Sequence, residues 1–306
     1  MQKILFSSLA SPHPQTIKEL QKGCWVRIEN PNETEVSQLV DQLGVDQDLV
    51  TDALDPYEIP RLETVGPNTY FIIRAPMLDE SQGDFTTPIM FIVHKDCVVT
   101  VCHDSLGSLW QPLVDKVPIA TTMQSQLVLL LLERVVVEYQ QKVAAINRQL
   151  RVAIRKFTSL RSEDIAVFVE YERQLNDFLD ALLPTNEVVE RLLGGKLKKF
   201  DEDKDLVEDL SIELEQVIAR CKSLLRTITN VRDSFRAVMD TRLNETIRLL
   251  TVITLALTIP TMIAGLYGMN VKLPGDESHP MTFWIIALIA GAMSAALAWY
   301  FLRRRD

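Results

Sequence analysis

Four threonines, Thr251, Thr254, Thr258 and Thr261, recur at intervals of three, four and three in an otherwise apolar stretch, and the stretch runs out in Tyr267-Gly268-Met269-Asn270. At 100° per residue the four hydroxyls fall within an arc of about 80°, with Ile247 and Gly265 inside it and Asn244 just beside it. A single membrane threonine bonds back to the preceding turn and needs no further role. Four on one face offer a row of hydroxyl oxygens. Asn270 would then stand at one mouth of that row. A ring of carboxamides presents neutral oxygens able to hold a small divalent ion through its hydration water, and Mg2+ gives up that water most reluctantly. A carboxylate ring would hold the ion more tightly than release tolerates. Gly268 permits the backbone to leave helical geometry there, and Met269 can pack against neighbours.

The elements that must carry these side chains are membrane spans. Leu249 to Met269 contains no charged residue, nor does Met281 to Leu302, and each is about the twenty residues that cross a bilayer. Arg242 and Arg248 precede the first, Arg303, Arg304 and Arg305 follow the second, and the connecting loop carries only Lys272. This bias puts both termini in the cytoplasm of a multi-pass protein of the cell membrane. The amino-terminal MQKILFSSLASPHP has no h-region of a secretory signal, so the first 240 or so residues are expected in the cytosol. In the outer loop Asp276 and Glu277 raise the local cation concentration.

Two spans cannot enclose a pore. Several copies of the first must surround an axis, which makes a homo-oligomer obligatory to the ion-pathway reading. The second span carries Ala287, Gly291, Ser294, Ala295 and Ala298 on a small-residue face, with Trp284, Trp299 and Tyr300 near its ends, as an outer, lipid-facing support would. Pro260 frees the Ala256 carbonyl, which a neighbour or water must satisfy.

The 306 residues carry a formal net charge of −9, which argues against a nucleic-acid partner. Residues 1–122 mix β-branched runs (CWVRIE, NTYFIIRAPM, PIMFIVH, CVVTVC) with a helical segment from Asn32 to Leu54 capped by Asn and Asp, an α/β domain. It has no Gly-rich phosphate loop, nucleophile elbow or HExxH, and nothing in it points to enzyme chemistry. Cys24, Cys97, Cys102 and Cys221 are scattered and no disulfide is expected. His94, Cys97, Cys102 and His103 have metal-like spacing, but a tight hairpin at Lys95-Asp96 would set His94 opposite Cys97 and Cys102 opposite Ile89, so the four cannot converge.

Residues 123–248 read as cytosolic helices and a stalk, with breaks at Leu183-Pro184-Thr185 and around Phe200 to Asp205. Leu214, Val217, Cys221, Leu224, Ile228, Val231, Phe235 and Val238 form an a/d seam, for which packing inside the same subunit is the favoured reading. The seam runs into the first span without a linker. A single helix from Leu206 to Met269 would be on the order of 95 Å long and would connect cytosol and membrane rigidly. Residues 249–306 then form the transmembrane domain, helices 249–269 and 281–302 around the loop 271–280. The fold class is α+β.

Gly268-Met269-Asn270 after one span, with a second span close behind, resembles the CorA family of magnesium transporters. The likeness extends to CWVRIENPNETEV, VTDALDPYEIPRLE, NTYFIIRAP and NETIRLLTVITLALTIPTMIAGLYGMN. The resemblance implies a funnel-shaped homopentamer with Asn270 in the entrance ring, and Asn244, Ile247, Leu250, Thr258 and Thr261 as lining or gating residues. Leu250 lies at the edge of the threonine arc. It also implies regulatory divalent ions held between adjacent subunits, at the positions of Asp79 and Asp209, which keep the pore closed when the ion is plentiful. The loop VKLPGDESHP departs from the Met-Pro-Glu-Leu string of many members, so its acids are placed differently.

Three readings follow. The first is a potential-driven Mg2+ channel gated by intracellular divalent cation. The second is a Co2+, Ni2+ or Zn2+ transporter on the same scaffold, for which the first span offers no His or Cys ligand. The third is a membrane-tethered scaffold or sensor, which accounts for seam and spans but not for the threonines or Asn270.

Overall fold

The computed structural model describes residues 2–77, 85–155, 162–193, 203–269 and 280–303. Seven strands form one sheet: β1 (Gln2–Ser8), β2 (Ser11–Ile17), β3 (Cys24–Glu29), β4 (Arg61–Val65), β5 (Asn68–Pro76), β6 (Thr86–Val93) and β7 (Cys97–Cys102). Their order is β2-β1-β3-β7-β6-β5-β4, and every pair is antiparallel except β3 with β7. β6 and β7 are buried at every residue and β5 at all but Arg74, because both faces of the sheet are covered.

On one face lie α1 (Glu33–Leu43) and α2 (Gln47–Asp52), packing Val36, Leu39, Leu49 and Val50 onto Val26, Ile28, Ile72, Met90 and Val99. The caps read from the sequence are present. Asn32 and Glu35 make a reciprocal capping box, and the Asp46 carboxylate accepts from the N–H groups of Asp48 and Leu49.

The other face turns Trp25, Phe71, Ile73 and Phe91 toward α3 (Gly107–Lys116), α4 (Gln124–Arg155) and α5 (Ser162–Leu193). Trp25 meets Trp110 edge to face at 6.0 Å, and Tyr139 meets Phe178 at 5.1 Å. The buried Tyr139 hydroxyl donates to the Arg74 carbonyl at 2.9 Å, so a helix and a strand are fastened by one polar bond inside an apolar layer.

β1 and β2 were not foreseen, and β2 contains Pro12 and Pro14. β2 is an edge strand, where a missing N–H costs no ladder bond. The break expected at Leu183-Pro184-Thr185 is also corrected: Pro184 lies inside α5. The Thr185 hydroxyl donates to the Ala181 carbonyl at 2.7 Å there, and Val188 and Val189 beyond it are buried, so tertiary packing overrides the one lost helix bond.

α6 (Lys204–Tyr267) is a single helix of 64 residues, and α7 (Pro280–Arg303) has 24. The chain divides into two compact units, Met1–Asn230 and Val231–Asp306. In the first unit Leu214, Val217, Cys221, Leu224 and Ile228 are the part of the seam buried within the subunit. Leu210 and Leu214 stand with Leu132, Val135, Leu182 and Val189 of α4 and α5 around a small apolar gap. Asp203 accepts from the Ser125 hydroxyl and, at 3.1 Å, from the Gln126 amide, which ties the chain entering α6 to the start of α4.

Candidate ion pathway

α6 stays helical through Pro260 and ends at Tyr267. The four threonines hold one face, and each hydroxyl donates to a carbonyl four residues back: Thr251 to Ile247, Thr254 to Leu250, Thr258 to Thr254 and Thr261 to Leu257, all at 2.8 Å. Thr261 also reaches the Thr258 carbonyl at 2.9 Å. These bonds spend the hydroxyl protons within the helix. What the face then presents outward is oxygen lone pairs, the complement of the water hydrogens around a hydrated cation. All four side chains are exposed in the single chain, as are Asn244, Ile247 and Leu250.

The face away from the stripe is the covered one. Val252, only 4% exposed, lies about 140° around the helix from the centre of the threonine arc. The Arg248 guanidinium, also off the arc, donates to the Phe301 carbonyl of α7. α7 turns inward Ile286, Ala290, Ser294 and Leu297, with Ala290 buried. The small-residue face expected from the sequence coincides with this only in part, because Ala287, Gly291 and Ala295 are exposed. Arg303 lies over the Trp299 ring at 4.8 Å. Both α6 and Phe283–Phe301 of α7 contain stretches long and apolar enough to cross a membrane.

Gly268 follows the last helical residue, and its N–H bonds the Ala264 carbonyl at 2.9 Å. Its φ is not among the positive ones, so left-handed freedom is not its use here. A Cβ at this position would meet the Ala264 oxygen at 3.3 Å, and glycine allows that close approach. Met269 is exposed. Asn270, Asp276, Glu277 and Asp79 lie outside the described residues.

Asp209 is exposed on α6 and borders a cavity of about 240 Å3 with Glu133 of α4 and Glu213 one turn further along α6. Sequence reading missed the last two, because Glu133 and Glu213 are 80 positions apart and only the packing of α4 on α6 brings them together. The Glu133 carboxyl is pushed above its ordinary range, first by burial and then by the Glu213 charge. One Glu213 carboxylate oxygen has no hydrogen-bond partner. No group of three or more His, Cys, Asp or Glu is close enough to hold a metal among the described residues, so an ion at Asp209 needs a ligand from elsewhere.

A raised carboxyl pKa means that the ionised form is the strained one. The stability contribution is full at low pH and is lost as pH rises through the folded-state value. Glu133→Gln is therefore expected to stabilise the divalent-free protein at neutral pH and to be neutral in acid. The gain is under about 1 kcal/mol because solvent screens a partly exposed pair. Chemical denaturation at two pH values checks this, and an equal effect at both would contradict it.

Comparison with known proteins bears on the family and the fold. The chain is 22% identical over 287 residues to a cobalt/magnesium transport protein CorA of Methanocaldococcus jannaschii, covering 91% of this chain and 90% of that protein. It is 28% identical over 149 residues to the mitochondrial inner membrane magnesium transporter mrs2 of Schizosaccharomyces pombe, covering 45% of this chain and 35% of that one. In fold it matches the complete structure of the CorA magnesium transporter from Methanocaldococcus jannaschii with a TM-score of 0.86 at 20% identity, covering 100% of this chain and 98% of that one. The family model for CorA-like Mg2+ transporter proteins matches residues 21–304, so that β3 to β7, the long helix and α7 fall within one match. The chain belongs to that family, whose members are membrane transporters rather than enzymes.

Proposed function

We propose that the chain is one subunit of a homopentameric Mg2+ channel of the cell membrane, gated by intracellular divalent cation. The observation that carries this reading is the exposed face of α6 on which four threonines keep their oxygens outward after spending their protons inward. Five copies around an axis would make rings of Asn244, Ile247, Leu250, Thr251, Thr254, Thr258 and Thr261. Gly268, Met269 and Asn270 form the entrance filter, and Asp276 and Glu277 draw cations toward it. Both termini are cytoplasmic and lipid surrounds α7.

The inside-negative potential pulls the cation in, so no energy-coupling site is required. An ion bridging Asp209 of one subunit and Asp79 of the next would hold the pore closed, and the crowded carboxylates of Glu133 and Glu213 add negative charge beside it. Relief of that repulsion favours the ion-bound, closed arrangement.

Transport of Co2+ on the same pathway is supported by the relative named for cobalt and magnesium. Ni2+ and Zn2+ are weaker candidates as cargo, since residues 249–269 contain no His or Cys. Flux competition among Mg2+, Co2+, Ni2+ and Zn2+ tests this reading. Mg2+ should pass and Co2+ should compete; selective Zn2+ or Ni2+ flux without Mg2+ would overturn it.

A further inference from the structure

Cys24 and Cys97 are 73 positions apart in the chain and sit side by side in the sheet. Each is the first residue of its strand, β3 and β7, and the two are direct register partners of the sheet's one parallel pair. Both side chains face the α1–α2 layer and both are buried. Adjacent strands are about 4.8 Å apart, within the Cα separation of about 4.4–6.8 Å that a disulfide can bridge. The two thiols are near enough for each to shift the titration of the other.

We propose that Cys24 and Cys97 form a reversible oxidation site, a dithiol that closes to a cross-strand disulfide when a peroxide reaches it.

The two sulfurs are not equivalent. The neighbouring Cys97 thiol holds the Cys24 thiol down to about 7 against the opposing effect of burial. Cys97 is pushed up, first by its pairing with Cys24 and then by burial. Cys24 is therefore the sulfur that attacks and Cys97 the one that resolves. His94 Nδ1 accepts from the Asp96 N–H at 3.2 Å, which marks it as the unprotonated ring nitrogen, and it lies 3.9 Å from the Cys97 sulfur. It can take the Cys97 proton.

In the first step the Cys24 thiolate attacks one peroxide oxygen. The O–O bond breaks, Cys24 becomes a sulfenic acid, and the departing hydroxide joins the proton Cys24 had released, giving water. In the second step the Cys97 sulfur attacks the Cys24 sulfur. The S–O bond breaks, the leaving hydroxide collects the Cys97 proton through His94 as a second water, and the S–S bond forms. Two thiols lose two electrons and two protons, and one peroxide becomes two waters. A dithiol reductant reverses the reaction.

The remaining cysteines cannot complete this bond. Cys102 lies on the opposite face of β7, where its thiol contacts the Ile28 and Asp104 carbonyls, and Cys221 is buried on α6. Access comes by opening the first rung of the β3–β7 ladder. That rung is flanked by Gly23, held at φ +84° and bonded from its N–H to the Asp96 carbonyl, and by the β6–β7 turn. The inference rests on the sheet alone and is independent of the ion pathway.

The test treats the full-length protein in detergent with hydrogen peroxide, quenches, denatures and counts thiols. The count should fall from the four cysteines of the chain to two, with a Cys24–Cys97 peptide by mass spectrometry and all four restored by dithiothreitol. Cys97→Ala should leave a sulfenic acid on Cys24 that a dione probe traps, and Cys24→Ala should lose no thiol pair. Four surviving thiols in the wild type, a disulfide between other cysteines, or an unlabelled Cys24 in Cys97→Ala would each overturn the proposal.

Discussion

Asn270→Ala is expected to abolish Mg2+ entry into proteoliposomes while the oligomer stays assembled. In the proposed filter the carboxamide oxygen would accept from the water shell of the entering ion, and a methyl group cannot. One hydrogen bond is worth about 1 kcal/mol net, and about 1.4 kcal/mol is a factor of ten. Losing the bond in every subunit of a ring at once therefore predicts a drop of at least about a hundredfold. Assembly should survive, because the alanine changes no residue of the covered side of α6, where Val252 is buried and Arg248 holds α7. Flux and oligomer mass measured on the same preparation check this. Full uptake by the variant would remove Asn270 from the filter.

The second large effect is on closure. Asp209→Ala should raise the Mg2+ concentration that half-closes the channel by at least about tenfold, since a bridging ion loses a full carboxylate in a site built from few ligands. Asp205→Ala is the control. Asp205 is an exposed acid one turn earlier on α6 and does not border the cavity with Glu133 and Glu213. Its closure should be unchanged. Equal inhibition of wild type and Asp209→Ala would dismiss the site. Equal weakening in both variants would point instead to general surface charge.

Where a feature depended on neighbours in sequence, the sequence made it legible. The Lys95-Asp96 turn gave the register in which Ile89 pairs with Cys102, because a tight hairpin allows little else. Asn32 and Asp46 capped their helices as their side chains require. The arc of threonines followed from helical periodicity alone. Features that needed tertiary knowledge were hidden. The pairing of Cys24 with Cys97 depends on β3 and β7 meeting in parallel after the intervening strands and helices. Glu133 joins Asp209 and Glu213 only through packing of α4 on α6. Pro184 looked like a break because its local cost is real, and the apolar face of α5 outweighed it.

The same distinction applies to the pathway. A hydroxyl that bonds its own helix is usually taken as structural, and here all four do so. The structural and the functional roles are compatible: the helix takes the proton, and the oxygen remains for water.

The most direct test of the central claim is Mg2+ entry into proteoliposomes holding the wild-type chain, loaded with a Mg2+-sensitive dye and given an inside-negative potential. Entry should rise with the imposed potential and collapse when it is dissipated. Absence of Mg2+ entry at any potential, with the protein inserted and oligomeric, would contradict the account.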